Sequence, residues 1–231
     1  MIARGLRFLA GLLLLPVCLA LTQTLFDVVR AACPAGGWPS APGLAFGAGF
    51  GLWLLVFFTL PRPVRTYVLA HELTHALWGA AMGARVSKLN VSRQGGSVTL
   101  SKTNVWIALA PYFFPLYTAL TVLLYGLLSL FMSLERFELL WLGAVGLTWG
   151  FHLTFTVTTL LNRQPDIRAC GRLFSYALIY ALNLLGIVLW VVAVSSVSWR
   201  QMGGLLGSNL AAVAAEIART AAAVWAWWSN K

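Results

Sequence analysis

The chain has 231 residues, of which 60% are hydrophobic and only 10% charged, a balance that excludes an ordinary soluble globule. Sixteen Lys and Arg against six Asp and Glu give a formal charge of +10, but the basic residues are scattered through short loops between apolar runs. That spread suits anionic lipid head groups and topogenic signals rather than nucleic acid, and three scattered cysteines offer neither a disulfide framework nor a CxxC metal site.

Arg4 and Arg7 precede an apolar run from Leu9 to Leu25. It is read as a retained first transmembrane helix, because it approaches a bilayer span and Cys18-Leu19-Ala20 is a poor leader-cleavage site. Gly/Pro density predicts a loop over Ala31–Pro42. A second helix is expected over Gly43–Leu60, where Gly43, Gly47 and Gly51 recur every four residues and either let a neighbouring helix approach or are merely tolerated in a membrane helix. Pro61-Arg62-Pro63 ends that helix and starts a third, from about Val64 to Gly83, with Gly79 and Gly83 continuing a small-residue face toward another helix. Arg85–Thr103 is the longest polar stretch. Val86, Leu89, Val91, Val98 and Leu100 flank Gly95-Gly96 there and predict a β-hairpin or loop pair beside the membrane. Such a segment serves either as a head-group-binding connector or as an edge onto which an extended substrate adds as a strand.

A fourth helix, Trp106–Met132, is expected to bend at Ala110-Pro111-Tyr112-Phe113-Phe114-Pro115. A short turn over Ser133–Glu138, a fifth helix over Leu139–Leu161, a polar connector over Asn162–Arg172 and a sixth helix over Leu173–Val197 follow. An Ala-rich segment, Ser208–Trp228, forms the last helix, with Glu216 and Arg219 at pairing distance and Trp225, Trp227 and Trp228 suited to a membrane interface. The expectation is an all-α polytopic membrane protein, a single domain over 1–231. It has about six transmembrane helices plus a C-terminal helix, and a small hairpin-like segment after the third helix.

The chemistry concentrates in Ala70-His71-Glu72-Leu73-Thr74-His75 on the third helix. His71 and His75 fall one turn apart on one face, where their imidazoles can share one Zn²⁺, and Glu72 can reach a water on that ion. Two of the chain's three histidines are here. Three polar groups in an apolar helix cost several kcal/mol each if unpaired, and a metal compensates them directly.

A catalytic zinc takes three protein ligands, and the third can be sought exhaustively. Asp27 closes the first helix, Glu216 has Arg219, and Glu135 and Glu138 flank Arg136 in a solvated turn. Asp166 and His152 remain. On a continuous helix they lie on the order of 20 Å apart and cannot share an ion. Asp166 suits the usual His/His/carboxylate set. His152 is either a histidine bonded to a threonine on its own face or a group lining the catalytic pocket. Asn162 is a further pocket candidate, to stabilise an oxyanion or hold substrate backbone.

The motif on an apolar helix, the polar hairpin-like segment after it and the later Asn162-Arg163-Gln164-Pro165-Asp166 together resemble the site-2 protease family of intramembrane zinc metalloproteases, in its compact bacterial branch. The resemblance covers roughly half the chain: Tyr67–Gly83, Gly95-Gly96 with Ala110–Pro115, and His152–Gly171. It implies a three-helix core, one zinc held by His71, His75 and Asp166, Glu72 as general base and acid, and membrane-protein substrates in a bacterial cytoplasmic membrane. Members usually carry Leu-Asp-Gly after an Asn and a Pro, whereas here Asp166 follows Pro165 directly and Gly171 comes later.

Two rivals have other chemistry: a non-catalytic metal-binding scaffold or transporter, and a membrane-anchored zincin that uses Glu135 or Glu138. Placing 84–104 and 162–172 in the cytoplasm gathers seven basic residues there (four and three), which favours a cytoplasmic metal site but leaves Arg4 and Arg7 outside if every helix spans.

Overall fold

The computed structural model describes residues 2–33 and 40–231. These are mostly helical: α1 (Ile2–Ala32), α2 (Ala41–Thr59), α3 (Val64–Ala81), α4 (Val105–Phe113), α5 (Leu116–Ser129), α6 (Glu138–Leu160), α7 (Pro165–Cys170), α8 (Arg172–Ala193) and α9 (Trp199–Ser229). Between α3 and α4 lies one antiparallel hairpin, β1 (Val86–Val91) with β2 (Gly96–Leu100).

Five helices, α1, α2, α6, α8 and α9, are long and apolar enough to cross a bilayer. The sequence led us to expect about six and a C-terminal helix, and two differences account for the gap. The helix α3 is not among the five, because Arg65, Thr66, His71, Glu72, Thr74 and His75 dilute its apolar surface. The expected fourth span is broken into α4 and α5, which meet at 76° and qualify only as a bent pair. The break falls at Phe114, held extended (φ −100°, ψ 107°) because Pro115 follows it.

Other boundaries moved as well. Most of the loop expected over Ala31–Pro42 lies outside the described residues, and Ala31 and Ala32 still belong to α1. The polar connector after α6 contains α7. The last helix starts nine residues earlier than expected, at Trp199 instead of Ser208, capped by Ser198, whose Oγ accepts from the Gln201 amide at 3.1 Å. Gly203, Gly204 and Gly207 lower the helix propensity of this first stretch, yet Met202, Leu205 and Leu206 beside them pack on buried residues and hold it helical.

Contacts divide the chain into two compact units, residues 39–170 and the remainder. In the remainder, α1 packs on α8 and α9 through Cys18, Leu21, Ala177 and Ala181 and through Val28, Val188, Val192 and Val197. Asn209 donates to Asp27 Oδ2 (2.9 Å) and to Thr24 Oγ1 (3.2 Å), which gives that acidic residue a partner. The expected Glu216–Arg219 pair forms.

In the 39–170 unit, α2 lies against α6, and the close approach is not on Gly43, Gly47 and Gly51. Gly47 and Gly51 face open space. Contact is made off that stripe, where Gly49 meets the Gly143 carbonyl, Phe46 meets Gly146 and Trp53 covers Gly150. Large side chains between these glycines set the register. Trp53, Phe57, Phe151 and Phe155 form one buried aromatic cluster, and Trp53 Nε1 donates to Thr154 Oγ1 at 2.8 Å. Tyr67 of α3 stacks on Phe155 with ring centroids 4.7 Å apart, which ties the motif helix to this core.

Gly79 and Gly83 also do other work than packing a helix. Leu100 of β2 sits on Gly79. Gly83 adopts φ +72° and ends α3: its amide bonds the Ala80 carbonyl (2.9 Å) and the Ala84 amide bonds the Gly79 carbonyl (2.8 Å), a Schellman stop. The reversal after it lays the hairpin back along α3. In the hairpin Val91 pairs with Gly96 and Val86 with Leu100, and Gly95, at φ +144°, supplies the turn.

Candidate metal centre

The motif helix begins where it does because of its prolines. Leu60 is extended ahead of Pro61, Pro63 precedes the first turn, and α3 runs uninterrupted to Ala81. His71 and His75 therefore project one turn apart on one face, with ring centroids 4.9 Å apart at 81°. Asp166 reaches them from the first turn of α7, which opens on Pro165. Its Oδ2 lies 3.8 Å from His71 Nε2 and 3.6 Å from His75 Nε2.

Each histidine has its other nitrogen engaged. His75 Nδ1 donates to the Ile107 carbonyl at 2.8 Å, and His71 Nδ1 lies 3.3 Å from the Tyr67 hydroxyl. A carbonyl only accepts, so Nδ1 of His75 carries the proton and Nε2 keeps the lone pair that faces Asp166. The Tyr112 hydroxyl, buried in α4, donates to Asp166 Oδ2 at 3.1 Å. Burial alone would raise the Asp166 carboxyl, but when the imidazoles of His71 and His75 are protonated their hydrogen bonds and charge outweigh it and hold the group well below the usual carboxylate range.

The donor set fits a zinc ion. One ligand atom from each of His71, His75 and Asp166 lies within 4.8 Å of the others, and no other group of three His, Cys, Asp or Glu among the described residues does so. The two edges from Asp166, 3.6 and 3.8 Å, are slightly longer than the separation of about 3.4 Å between ligands of a tetrahedral zinc.

Glu72 is 7% exposed and sits between the histidines and the hairpin, with the Val98 main chain beside its carboxylate. Two cavities open on it. One, of about 400 Å³, also reaches His75, Asp166 and β2; the other, of about 420 Å³, runs toward the hairpin turn and the end of α6. Asn162 lines the second, with its Nδ2 donating to the Thr158 carbonyl at 2.8 Å. His152 is buried in α6 outside the three-ligand group. It lines a third cavity of about 20 Å³, room for one water, whose other walls include His71 and Thr74. Glu135 and Glu138 are exposed; Glu138 opens α6, roughly 33 Å of helical rise before the end that leads to Asp166.

Sequence reasoning missed Tyr67, Tyr112 and the Ile107 carbonyl. Tyr67 stands one helical turn before His71, a spacing visible in the sequence, whereas Tyr112 carries no such signal, since only packing brings its hydroxyl to Asp166. Ile107 did carry one. In a continuous helix its carbonyl would accept from residue 111, but that residue is Pro111 and has no N–H, so the carbonyl is left for His75.

The fold and site thus define a mostly helical protein with five helices able to cross a membrane and a His/His/Asp cluster beside a buried glutamate. No family model, no curated protein and no solved structure matches the chain.

Proposed function

We propose that this chain is a zinc-dependent intramembrane endopeptidase, a multi-pass protein that hydrolyses peptide bonds of membrane-protein substrates. The observation that carries the reading is the convergence of His71 Nε2, His75 Nε2 and Asp166 Oδ2 beside the buried carboxylate of Glu72. Zinc held by those three residues supplies Lewis acidity toward water and the scissile carbonyl.

The protein's own groups do the rest. Ile107 and Tyr67 hold the imidazole rings in place, and Tyr112 holds the Asp166 carboxylate. Glu72 accepts a proton from the attacking water and returns it to the leaving amine, a role that needs the carboxylate within reach of the bond being cut. A helical substrate must unwind first, because its carbonyls are tied up in hydrogen bonds. Gly96, Ser97 and Val98 of β2 line the cavity that contains Glu72 and would hold the unwound strand alongside.

The test is zinc content measured beside cleavage. The purified chain should carry one zinc and cleave a synthetic single-span peptide in detergent micelles, while Glu72→Gln keeps the zinc and loses cleavage. Zinc without cleavage in the unaltered chain would favour a metal-carrying scaffold or transporter.

A further inference from the structure

We propose that the cleft is charge-asymmetric, with Arg62 and Arg93 forming a subsite for an acidic side chain of the peptide on one side of the scissile bond. This rests on the peptidase reading above. The two larger cavities share His71, Glu72, Gly96 and Gln164 as common walls, so they form two arms of one cleft meeting at the candidate catalytic carboxylate.

The arms differ in chemistry. Beyond the metal ligands and Glu72, the first is walled by Ser97, Thr103 and Gln164 together with Leu100, Ile107 and Pro165, and contains no Lys or Arg. The second holds two guanidiniums, Arg62 and Arg93, and Glu72 is its only carboxylate. Arg62 comes from the Pro-Arg-Pro break before α3, and its guanidinium lies 4.4 Å over the Phe57 ring, a contact that orients the charge without neutralising it. Arg93 comes from the hairpin turn, where the Ser92 hydroxyl donates to the Gly95 carbonyl at 2.7 Å and accepts from the Gln94 amide at 3.2 Å.

Neither arginine has a carboxylate partner: the ion pairs among the described residues join Asp166 to the two histidines and Glu216 to Arg219. Two exposed guanidiniums on the wall of one concavity, outnumbering its single carboxylate, attract an anion, and their planar donors suit a carboxylate in particular. A cavity of about 420 Å³ is roughly 9 Å across, a distance that an extended chain covers in about three residues. The acidic residue therefore lies within about three positions of the bond that Glu72 faces. A lipid phosphate offers similar chemistry, but Glu72 and His71 are walls of the same cavity, which places the bound anion next to the reacting bond.

The test uses the zinc-loaded full chain in a neutral detergent. Two ten-residue peptides carrying an uncharged dye, identical except for three central Asp in one and three Asn in the other, are titrated by fluorescence anisotropy into Glu72→Gln. The Asp peptide should bind about tenfold more tightly, the gap should narrow with added salt, and Arg62→Gln combined with Arg93→Gln should abolish it. The unaltered chain should cut the Asp peptide faster, with the same dependence on the two arginines. Equal binding of the two peptides, or a preference that survives loss of both arginines, overturns the subsite. So does an arginine dependence seen only with phosphatidylglycerol vesicles, which would assign the pair to head groups. A binding preference without any cleavage supports the subsite and refutes the peptidase reading, so the two fail separately.

Discussion

His75 Nδ1 bonds the Ile107 carbonyl at 2.8 Å, and the helix can spare that carbonyl because Pro111 stands four residues on. A residue that usually damages a helix here presets the tautomer of a candidate zinc ligand. Replacing it restores a competing donor: Pro111→Ala should lower zinc affinity by about tenfold, read by competition with a chelator, while the helical content measured by circular dichroism stays the same.

The third ligand can be tested by stoichiometry. Asp166→Ala should leave well under one zinc per chain, whereas Glu138→Ala and His152→Gln should keep about one. Full zinc in Asp166→Ala would move the search to His152, which lies across a small cavity from His71.

Gly96 is where the hairpin comes closest to the motif helix. A Cβ there would stand 2.6 Å from Val68 Cγ1, 2.7 Å from Glu72 Cγ and 2.9 Å from the Asn90 carbonyl oxygen, so Gly96→Ala must push the hairpin and the motif helix apart or displace both side chains. The expected outcome is a fall in peptide cleavage of about a hundredfold, by analogy with small misplacements of catalytic groups, with zinc content unchanged. A variant that cleaves normally would mean that Glu72 has room to spare.

The α2–α6 contact carries a stability prediction. Gly49→Leu drives a side chain into the Gly143 carbonyl and should cost about 3 kcal/mol, while Gly47→Leu, in open space, should be near neutral. Thermal unfolding in detergent, followed by Trp fluorescence, separates the two.

Periodicity and punctuation made much of the fold legible. Pro61-Arg62-Pro63 separates α2 from α3, Gly95-Gly96 marks the hairpin, and Phe114-Pro115 marks the break between α4 and α5. The glycine pattern misled, because spacing alone does not say which face meets a neighbour. Gly43, Gly47 and Gly51 look like a stripe, yet the bulky Phe46 and Trp53 choose the register and bring Gly49 inward instead. The early start of α9 was hidden for a related reason, since three glycines lower local helix propensity and only packing by Met202, Leu205 and Leu206 offsets it.

His71, Glu72 and His75 could be placed from the sequence alone, because a one-turn spacing is a property of a single helix and needs no partner. Elimination narrowed their partner to Asp166 or His152 and could go no further. Where the carboxylate of Asp166 lies depends on α7 packing on α4, and the roles of Tyr112 and Ile107 depend on α4 packing against α3. Those are contacts between residues tens of positions apart, set by which side chains fill the space between helices, and no local pattern in the chain encodes them.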